Sequence, residues 1–464
     1  MGILTESERE SDEKIKRREC HVCIAGGGTI GLPVATLISS AGFQTMIFDV
    51  DKKRVESINK ARVTFEYSNL LSKMINQKKL RATLDFEEAI VDSDILVVCV
   101  PTPITEEKEP DLSKLIKLIN LLENNMKKGL LLIIESTVPI GTCRKIGLSI
   151  EEKSGFKIGE DFGISHVPER YNPILPKEKH VRIVFEEQEK DHFTLDKIPR
   201  VVGASDKKSL DLTIKFYSSF IKAKILPVSS LEAAEAVKIT ENVFRDVNIA
   251  LMNELSKIYS ALGLDSFEII RGASSKPFAF LPHFPSLGVG GECIPVTPWF
   301  LIKQAEKMGL KPKLLKNARE INDSMPFYVA DLLKKALEAN GRKIAGSNIV
   351  ILGVAYKANS SDTRLSPSLA LIEIIKKMGG RVKACDPLVE KMHPNFGLTP
   401  LEKTFQKADA LIMAVDHEIF KQKINLKKIK SQVRTPVIID CRNFFRKEEV
   451  ESLGFTYKGV GKPG

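Results

Sequence analysis

The 464-residue chain has no apolar run long enough to cross a bilayer as a helix. It has no Lys/Arg block interleaved with aromatic residues, the pattern of a nucleic-acid-binding face. Neither a membrane protein nor a nucleic-acid-binding protein is therefore expected, although the net charge is +11. The 70 basic residues are interspersed with 59 acidic ones, and an anionic small substrate accounts for the surplus. Cysteine is sparse, with seven residues at 20, 23, 99, 143, 293, 385 and 441. An odd, scattered set argues for reduced thiols in a cytoplasmic protein. Cys20 and Cys23 form one C-x-x-C, but a zinc site needs a second pair and none exists. No metal is expected. Residues 1–18 are polar, lack the apolar stretch of a signal peptide, and read as a loose tail.

What the chain does have is the composition of a soluble globular protein, 43% hydrophobic and 28% charged. Its length predicts two or three domains. Strand-like runs at 21–25, 45–49, 95–100, 131–135 and 163–166 alternate with amphipathic helical stretches, the rhythm of a parallel α/β sheet. The charged segment 172–197 breaks that rhythm and reads as a surface excursion. From residue 231 to about 262 a long helix is predicted, with Val243, Val247, Ala250, Leu251, Leu255 and Ile258 on its buried side. A helix of that length in mid-chain joins two domains or builds a dimer interface. Ser324-Met325-Pro326 predicts a helix boundary. Alternation resumes at 348–354, 381–385, 410–415 and 437–440 as a second, smaller α/β unit.

The run Gly26-Gly27-Gly28-Thr29-Ile30-Gly31 follows an apolar strand and opens a helix. In G-x-G-x-x-G, Gly26 permits the tight turn and Gly28 lets the backbone approach a pyrophosphate. Gly31 allows close helix–strand packing. The next strand ends at Asp49, where a ribose-binding acid belongs, and an acid there favours NAD over NADP. Asp51 is an alternative partner, and Lys52, Lys53 and Arg54 bear on the cofactor preference.

Three further signals carry chemistry. Cys293 lies in the glycine-rich run Gly288-Val289-Gly290-Gly291-Glu292-Cys293, where a thiol can be exposed and activated; the alternative is a small buried hydrophobe. Lys238 and Asn242 are one helical turn apart, and an ammonium and an amide on one face can stabilise a developing oxyanion; the alternative is a solvated face. Two turns follow predicted strands, Glu135-Ser136-Thr137-Val138-Pro139 and His166-Val167-Pro168-Glu169-Arg170, where doubly wound sheets place their ligands.

Together with Val100-Pro101-Thr102-Pro103 and Gly353-x-x-Tyr356-Lys357 with Asp362-Thr363-Arg364, these segments resemble the UDP-glucose/UDP-N-acetylmannosamine dehydrogenase family from residue 20 onward. The resemblance implies two Rossmann-like doubly wound domains joined by a long central helix, in a dimer or larger oligomer with the catalytic cleft between domains. It divides the chain into a tail (1–19), an NAD-binding domain (20–228), a central domain (229–325) and a UDP-sugar-binding domain (326–464). It implies four-electron oxidation of a sugar C6 hydroxyl by NAD. Cys293 would form a thiohemiacetal and then a thioester, Glu169 would act as general base with Thr137, and Lys238 and Asn242 would stabilise oxyanions. Gly26, Gly28, Thr29, Ile30, Gly31, Asp49, Arg54, Pro101, Thr102 and Thr137 would hold the cofactor. Arg170, Arg245, Phe284, Gly290, Lys357 and Arg364 would hold the UDP-sugar, with Arg364 reaching across a dimer interface and the 276–287 loop covering the pyrophosphate.

Residues 245–250, the Pro168-Glu169-Arg170 turn and Pro298-Trp299-Phe300 lean toward the N-acetylmannosamine branch, with UDP-glucose or UDP-N-acetylglucosamine as the alternative. Two positions depart from the family pattern. Thr297 stands where an Asp is usual four residues after the cysteine, and Glu292 stands where the acetamido-sugar branch typically has His. Glu292 beside a thiolate calls for a compensating cation, for which Lys238 is a candidate. The departures keep open a catalytically degraded UDP-sugar-binding regulator. A two-electron hydroxy-acid dehydrogenase of similar layout, which needs no nucleophilic cysteine, is a further alternative.

Overall fold

The structure, a computed structural model, describes residues 2–171, 194–389 and 397–463. Most of the charged segment at 172–197 lies outside the described residues. Contacts divide the chain into two compact units: one holds the described residues up to Glu241 together with Trp299–Met308, the other Asn242–Pro298 and the described residues from Gly309 onward.

The first unit is an eight-stranded sheet in the order β3-β2-β1-β4-β5-β6-β7-β8. Strands β1 (His21–Ala25), β2 (Gln44–Phe48), β3 (Leu80–Thr83), β4 (Ile95–Val98), β5 (Leu130–Ile134) and β6 (Phe162–His166) are parallel. Strand β7 (Arg200–Ala204) runs antiparallel to β6, and β8 (Ile225–Pro227) pairs with it in parallel. Strands β4 and β5 are apolar at every position and buried throughout, as a parallel sheet covered on both faces requires. The chain reverses between β1 and β4, and that switch point is where open α/β sheets bind ligands. Cys20 and Cys23 belong to the cores on opposite faces of this sheet, and burial pushes both thiols up to about 12.

The second unit is a parallel five-stranded sheet, β10-β9-β11-β12-β13, formed by β9 (Asn348–Leu352), β10 (Arg381–Cys385), β11 (Ala410–Met413), β12 (Val437–Asp440) and β13 (Thr456–Gly459). Its first turn parallels that of the first unit. After β9, Gly353 turns with φ +90°, and the next two N–H groups, of Val354 and Ala355, donate to Asp386 at 2.7 and 3.1 Å. Asp386 also meets His417 Nε2 at 3.1 Å, and His417 Nδ1 accepts the Asn359 N–H at 2.9 Å. These contacts fasten the loop between β9 and the helix Pro367–Lys377 to the ends of β10 and β11.

The doubly wound α/β class and the long helix, Leu231–Ala261, agree with the sequence reading. Strands β3, β7, β8 and β13 are additional to it. Three details differ. Residues 2–18 are no loose tail: Ser7 opens a helix, Glu8–Lys16, with a capping box through Glu10. Ile3 and Leu4 are fully buried, and Lys14 reaches Asp94 at 2.7 Å. Second, the helix Lys313–Ala339 runs through Pro326. The proline leaves the Asn322 carbonyl without its partner one turn on, but Met325, Val329, Leu333 and Leu337 are buried and hold the helix against the second core.

Third, the buried stripe of Leu231–Ala261 in the second unit is largely polar. Asn242, Asp246, Asn253 and Ser256 are buried, whereas Leu251 and Ile258 are 45% and 49% exposed. Each buried side chain has a partner. Asp246 pairs with the buried Arg319 at 2.5 Å and accepts from Asn322 at 2.8 Å. Asn253 donates to Asn322 at 2.8 Å and accepts the Ser286 N–H at 2.9 Å. Burial pushes the Asp246 carboxyl up, and Arg319 opposes the shift. Removing one partner strands a buried charge, so Asp246→Ala should destabilise the protein by about 3–5 kcal/mol. Denaturant unfolding of the second unit would check this, and Asp246→Ala with Arg319→Leu should be less damaging than either alone.

Candidate active site

The loop after β1 is built for a close-approaching anion. Gly26 has φ +104°, and a Cβ there would lie 2.7 Å from the Cys99 carbonyl at the end of β4. A Cβ on Gly31 would lie 1.8 Å from the Gly26 carbonyl, so the turn closes only with glycine. Nothing lies within 4 Å of the Cβ position of Gly28, which leaves open space over the loop. The helix Gly31–Ser40 begins without a side-chain cap at Ile30, so its N-terminal end is open to a phosphate. Asp49 at the end of β2 is 4% exposed and accepts the Gly27 N–H at 2.8 Å and Arg54 Nη1 at 2.9 Å. Asp51 instead caps the next helix. Loop, open space, uncapped helix and strand-end acid fit a dinucleotide, with Thr29 and Ile30 at the helix entrance.

The turns after β4 and β5 are tied together. Thr102 donates to the Thr137 carbonyl at 2.5 Å, and Ser136 donates to the Val100 carbonyl at 2.7 Å, with Pro101 between. The helix that follows, Thr142–Ser154, has its N-terminus occupied by Glu235 of the long helix, which accepts from the Gly141 and Cys143 N–H groups at 2.5 and 2.7 Å. Of these two helix entrances, only the one at Gly31 is left to a ligand.

Glu169, after β6, is 6% exposed. Its Oε1 meets Arg200 Nη1 at 2.6 Å and accepts the N–H groups of Arg170 and Tyr171 at 2.6 and 2.5 Å. Its Oε2 is buried with no hydrogen bond among the described residues. Sequence reading missed the surroundings of this carboxylate. Glu135 and Arg200 are each 1% exposed, and Tyr217 is fully buried. Arg200 in an otherwise apolar strand and Glu135 closing the Leu130–Ile134 run were the available signals. Arg170 is engaged elsewhere, pairing with Glu241 at 2.8 Å and donating to the Pro199 carbonyl at 3.0 Å.

In the second unit two loops meet. A Cβ on Gly290 would fall 2.6 Å from the Tyr356 Cβ, and the Gly291 N–H donates to the Arg364 carbonyl at 3.0 Å. This glycine contact docks the Cys293 loop on the loop carrying Tyr356, Lys357 and Arg364. Cys293 is exposed, the only one of the seven cysteines that is. Burial, then the charge of Arg245, lowers the Lys357 ammonium, while Asp362 and Cys293 oppose the shift. Arg364 pairs with Asp362 at 2.6 Å and with Glu292. The cation that compensates Glu292 is therefore Arg364 rather than Lys238. Lys238 is half-buried one turn before Asn242. Asn242 Nδ2 lies 3.0 Å from Thr297 Oγ1, so the hydroxyl gives the amide a polar partner where the family pattern has a carboxylate. Phe284 stacks on Phe267 at 5.8 Å.

A dinucleotide loop in one α/β unit and an exposed thiol in a loop beside Lys357 and Arg364 in another fit a dehydrogenase for an anionic substrate. Comparison with known proteins gives the same class. Three models of the UDP-glucose/GDP-mannose dehydrogenase family match in order: the NAD binding domain over residues 20–221, the central domain over 232–324 and the UDP binding domain over 350–447. The chain is 35% identical to a UDP-N-acetyl-D-mannosamine dehydrogenase of Pyrococcus horikoshii, covering 95% of this chain and 99% of that one. It is 33% identical to a UDP-N-acetyl-D-glucosamine 6-dehydrogenase of Salmonella typhi, covering 87% and 91%. The solved structure of the Pyrococcus enzyme superposes with a TM-score of 0.84 at 34% identity over 95% of this chain and 99% of that one. The chain belongs to the UDP-glucose/GDP-mannose dehydrogenase family, and it is an NAD-dependent nucleotide-sugar dehydrogenase.

Exposure predicts selective chemistry. Brief iodoacetamide treatment of the folded enzyme should label Cys293 and leave the other six thiols unmodified, as peptide mapping would report; labelling of a buried cysteine at a similar rate would contradict this burial pattern.

Proposed function

We propose that the enzyme oxidises the C6 hydroxyl of UDP-N-acetyl-D-mannosamine to the carboxylate, forming two NADH per sugar. The observation that carries the four-electron reading is the exposed Cys293 thiol in a loop docked on Tyr356, because a two-electron dehydrogenase needs no nucleophile there. The names and identities of the relatives support the acetamido sugar. UDP-N-acetylglucosamine is the alternative, on the strength of the Salmonella typhi relative.

NAD held by the Gly26–Gly31 loop and Asp49 would supply the hydride acceptor for each of the two oxidations. Between them the Cys293 sulfur adds to the C6 aldehyde and forms a thiohemiacetal, which the second oxidation converts to a thioester. Water then attacks the carbonyl carbon, the C–S bond breaks, and the thiolate leaves. Glu169 takes the proton of the attacking water through Oε2, which has no partner among the described residues, and Thr137 helps to place that water. The Lys238 ammonium and the second N–H of the Asn242 amide donate to the oxyanions. Lys357, Arg364 and Arg245 hold the UDP-sugar, with the diphosphate taking Arg364 from Glu292. Gly290 serves by letting the thiol loop approach Tyr356. Asp49 binds the adenosine ribose, and Arg54 orients that carboxylate. Thr297 keeps the Asn242 amide partnered without a carboxylate, which favours an active enzyme over a degraded one.

Phe244, Leu251 and Ile258 are 49%, 45% and 49% exposed at seven-residue spacings along one helix, and Leu262 just past its end is 66% exposed. We place a second copy of the chain on this stripe, since a two-fold axis sets identical stripes against each other. We assign the enzyme to the cytoplasm, in keeping with its seven free cysteines.

Purified enzyme with limiting UDP-N-acetylmannosamine should yield two equivalents of NADH; one equivalent would sink the four-electron reaction, and turnover with UDP-glucose alone would move the substrate. Leu251→Lys with Ile258→Glu should shift the protein from dimer to monomer in sedimentation velocity. An unshifted profile would remove this helix from the interface.

A further inference from the structure

Beneath Glu169 lies a second carboxylate that the proposed chemistry does not use. Glu135 closes β5 and is fully enclosed. Its Oε1 accepts the Tyr217 hydroxyl at 2.5 Å, and its Oε2 accepts the Cys99 thiol at 3.4 Å. The charge of Arg200 acts on it, and Arg200 is already paired with Glu169 at 2.6 Å. The Glu169–Arg200 pair and Glu135 thus belong to one buried cluster, with a phenol and a thiol donating to Glu135. The backbone couples them as well, since the Glu169 N–H approaches the Glu135 carbonyl at 3.4 Å.

We propose that Glu135 acts on the reaction through Glu169, as a positioning residue: it lies in the same buried cluster as the Glu169–Arg200 pair, and its ionisation places a second negative charge there that favours transfer of the water proton into the cluster. This deepens the reading above and rests on Glu169 being the base of the hydrolytic step.

Arg200 and two backbone N–H groups meet the Glu169 carboxylate, whereas a phenol and a thiol donate to Glu135. Burial, then the charge of Glu169, pushes Glu135 up to about 7, and Arg200 opposes the shift. Below that pH Glu135 is protonated and adds no negative charge to the cluster. As pH rises through it, Glu135 loses its proton, and the negative charge that it brings favours transfer of the water proton into the cluster. Cys99 and Tyr217 stay neutral, because burial and the charge of Glu135 push both well above their usual range. Hydrolysis of the Cys293 thioester should therefore accelerate through about pH 7, whereas thioester formation should not follow this ionisation.

The test is single-turnover reaction of the intact enzyme with NAD and UDP-N-acetylmannosamine on both sides of neutrality. NADH formation would be followed optically, and the Cys293 thioester by intact mass. Glu135→Gln keeps the shape and loses the second charge. It should abolish the rise with pH, slow hydrolysis about tenfold on the alkaline side, the equivalent of one pKa unit, and leave the NADH burst unchanged. A wild-type pH profile in E135Q overturns the proposal, and so does an equal loss in burst and hydrolysis at every pH. Should E135Q not fold, Tyr217→Phe retains both carboxylates and removes one donor to Glu135, so the rise should move to higher pH. An unmoved rise overturns the proposal. Glu169→Gln separates the two layers. Thioester that persists in E169Q while E135Q behaves as wild type overturns only the role of Glu135; wild-type hydrolysis in E169Q overturns the reading of Glu169 and this proposal with it.

Discussion

The second unit depends on burying Asp246 against Arg319. A carboxylate and a guanidinium taken out of water are tolerated only when each finds the other and further hydrogen bonds support the pair. Asn322 donates to the Asp246 oxygen that meets Arg319 and accepts from Asn253, whose own oxygen holds the Ser286 N–H. Asn242 repeats the device one turn earlier by pairing with Thr297, four residues beyond the thiol. The segment containing Cys293 is thus pinned near both ends by side chains of one helix. Directional hydrogen bonds fix its register more tightly than apolar packing of the same area would.

That polar seam is where sequence reading went astray. Periodicity located the long helix, and its bounds fell close to Leu231–Ala261. The choice of buried face assumed that apolar residues turn inward, and here Leu251 and Ile258 face out while Asp246 and Asn253 face in. A hydrophobic pattern reports which face leaves water, whether toward the chain's own core or toward another surface. Pro326 misled for a related reason. Its local preference is to end a helix, but burial of Met325, Val329 and Leu333 outweighs one missing hydrogen bond.

The nucleotide loop was legible because its residues answer local steric demands. Gly26 and Gly31 have backbone carbonyls where a Cβ would sit, and such demands leave a mark in any single sequence. Strands β1, β4, β5 and β6 were equally plain as apolar runs. The cluster around Glu169 was not, since Cys99, Glu135, Arg200 and Tyr217 come from separate elements that meet only in the folded sheet. Arg364 as the partner of Glu292 was hidden for the same reason: seventy-two residues separate them, and the docking of two loops brings them together.

The turn after β9 has a consequence for ligand capture. Asp386 and His417 hold the backbone N–H groups of Val354, Ala355 and Asn359, so the segment bearing Tyr356, Lys357 and Arg364 is ordered before any nucleotide arrives. Fixing one residue's backbone costs on the order of 1–2 kcal/mol of conformational entropy. A recognition loop whose disorder has already been removed during folding spends none of its contact energy on becoming rigid. With Lys357 and Arg364 holding the UDP-sugar as proposed, affinity would in this sense be set partly by a histidine–aspartate pair buried at the ends of β10 and β11.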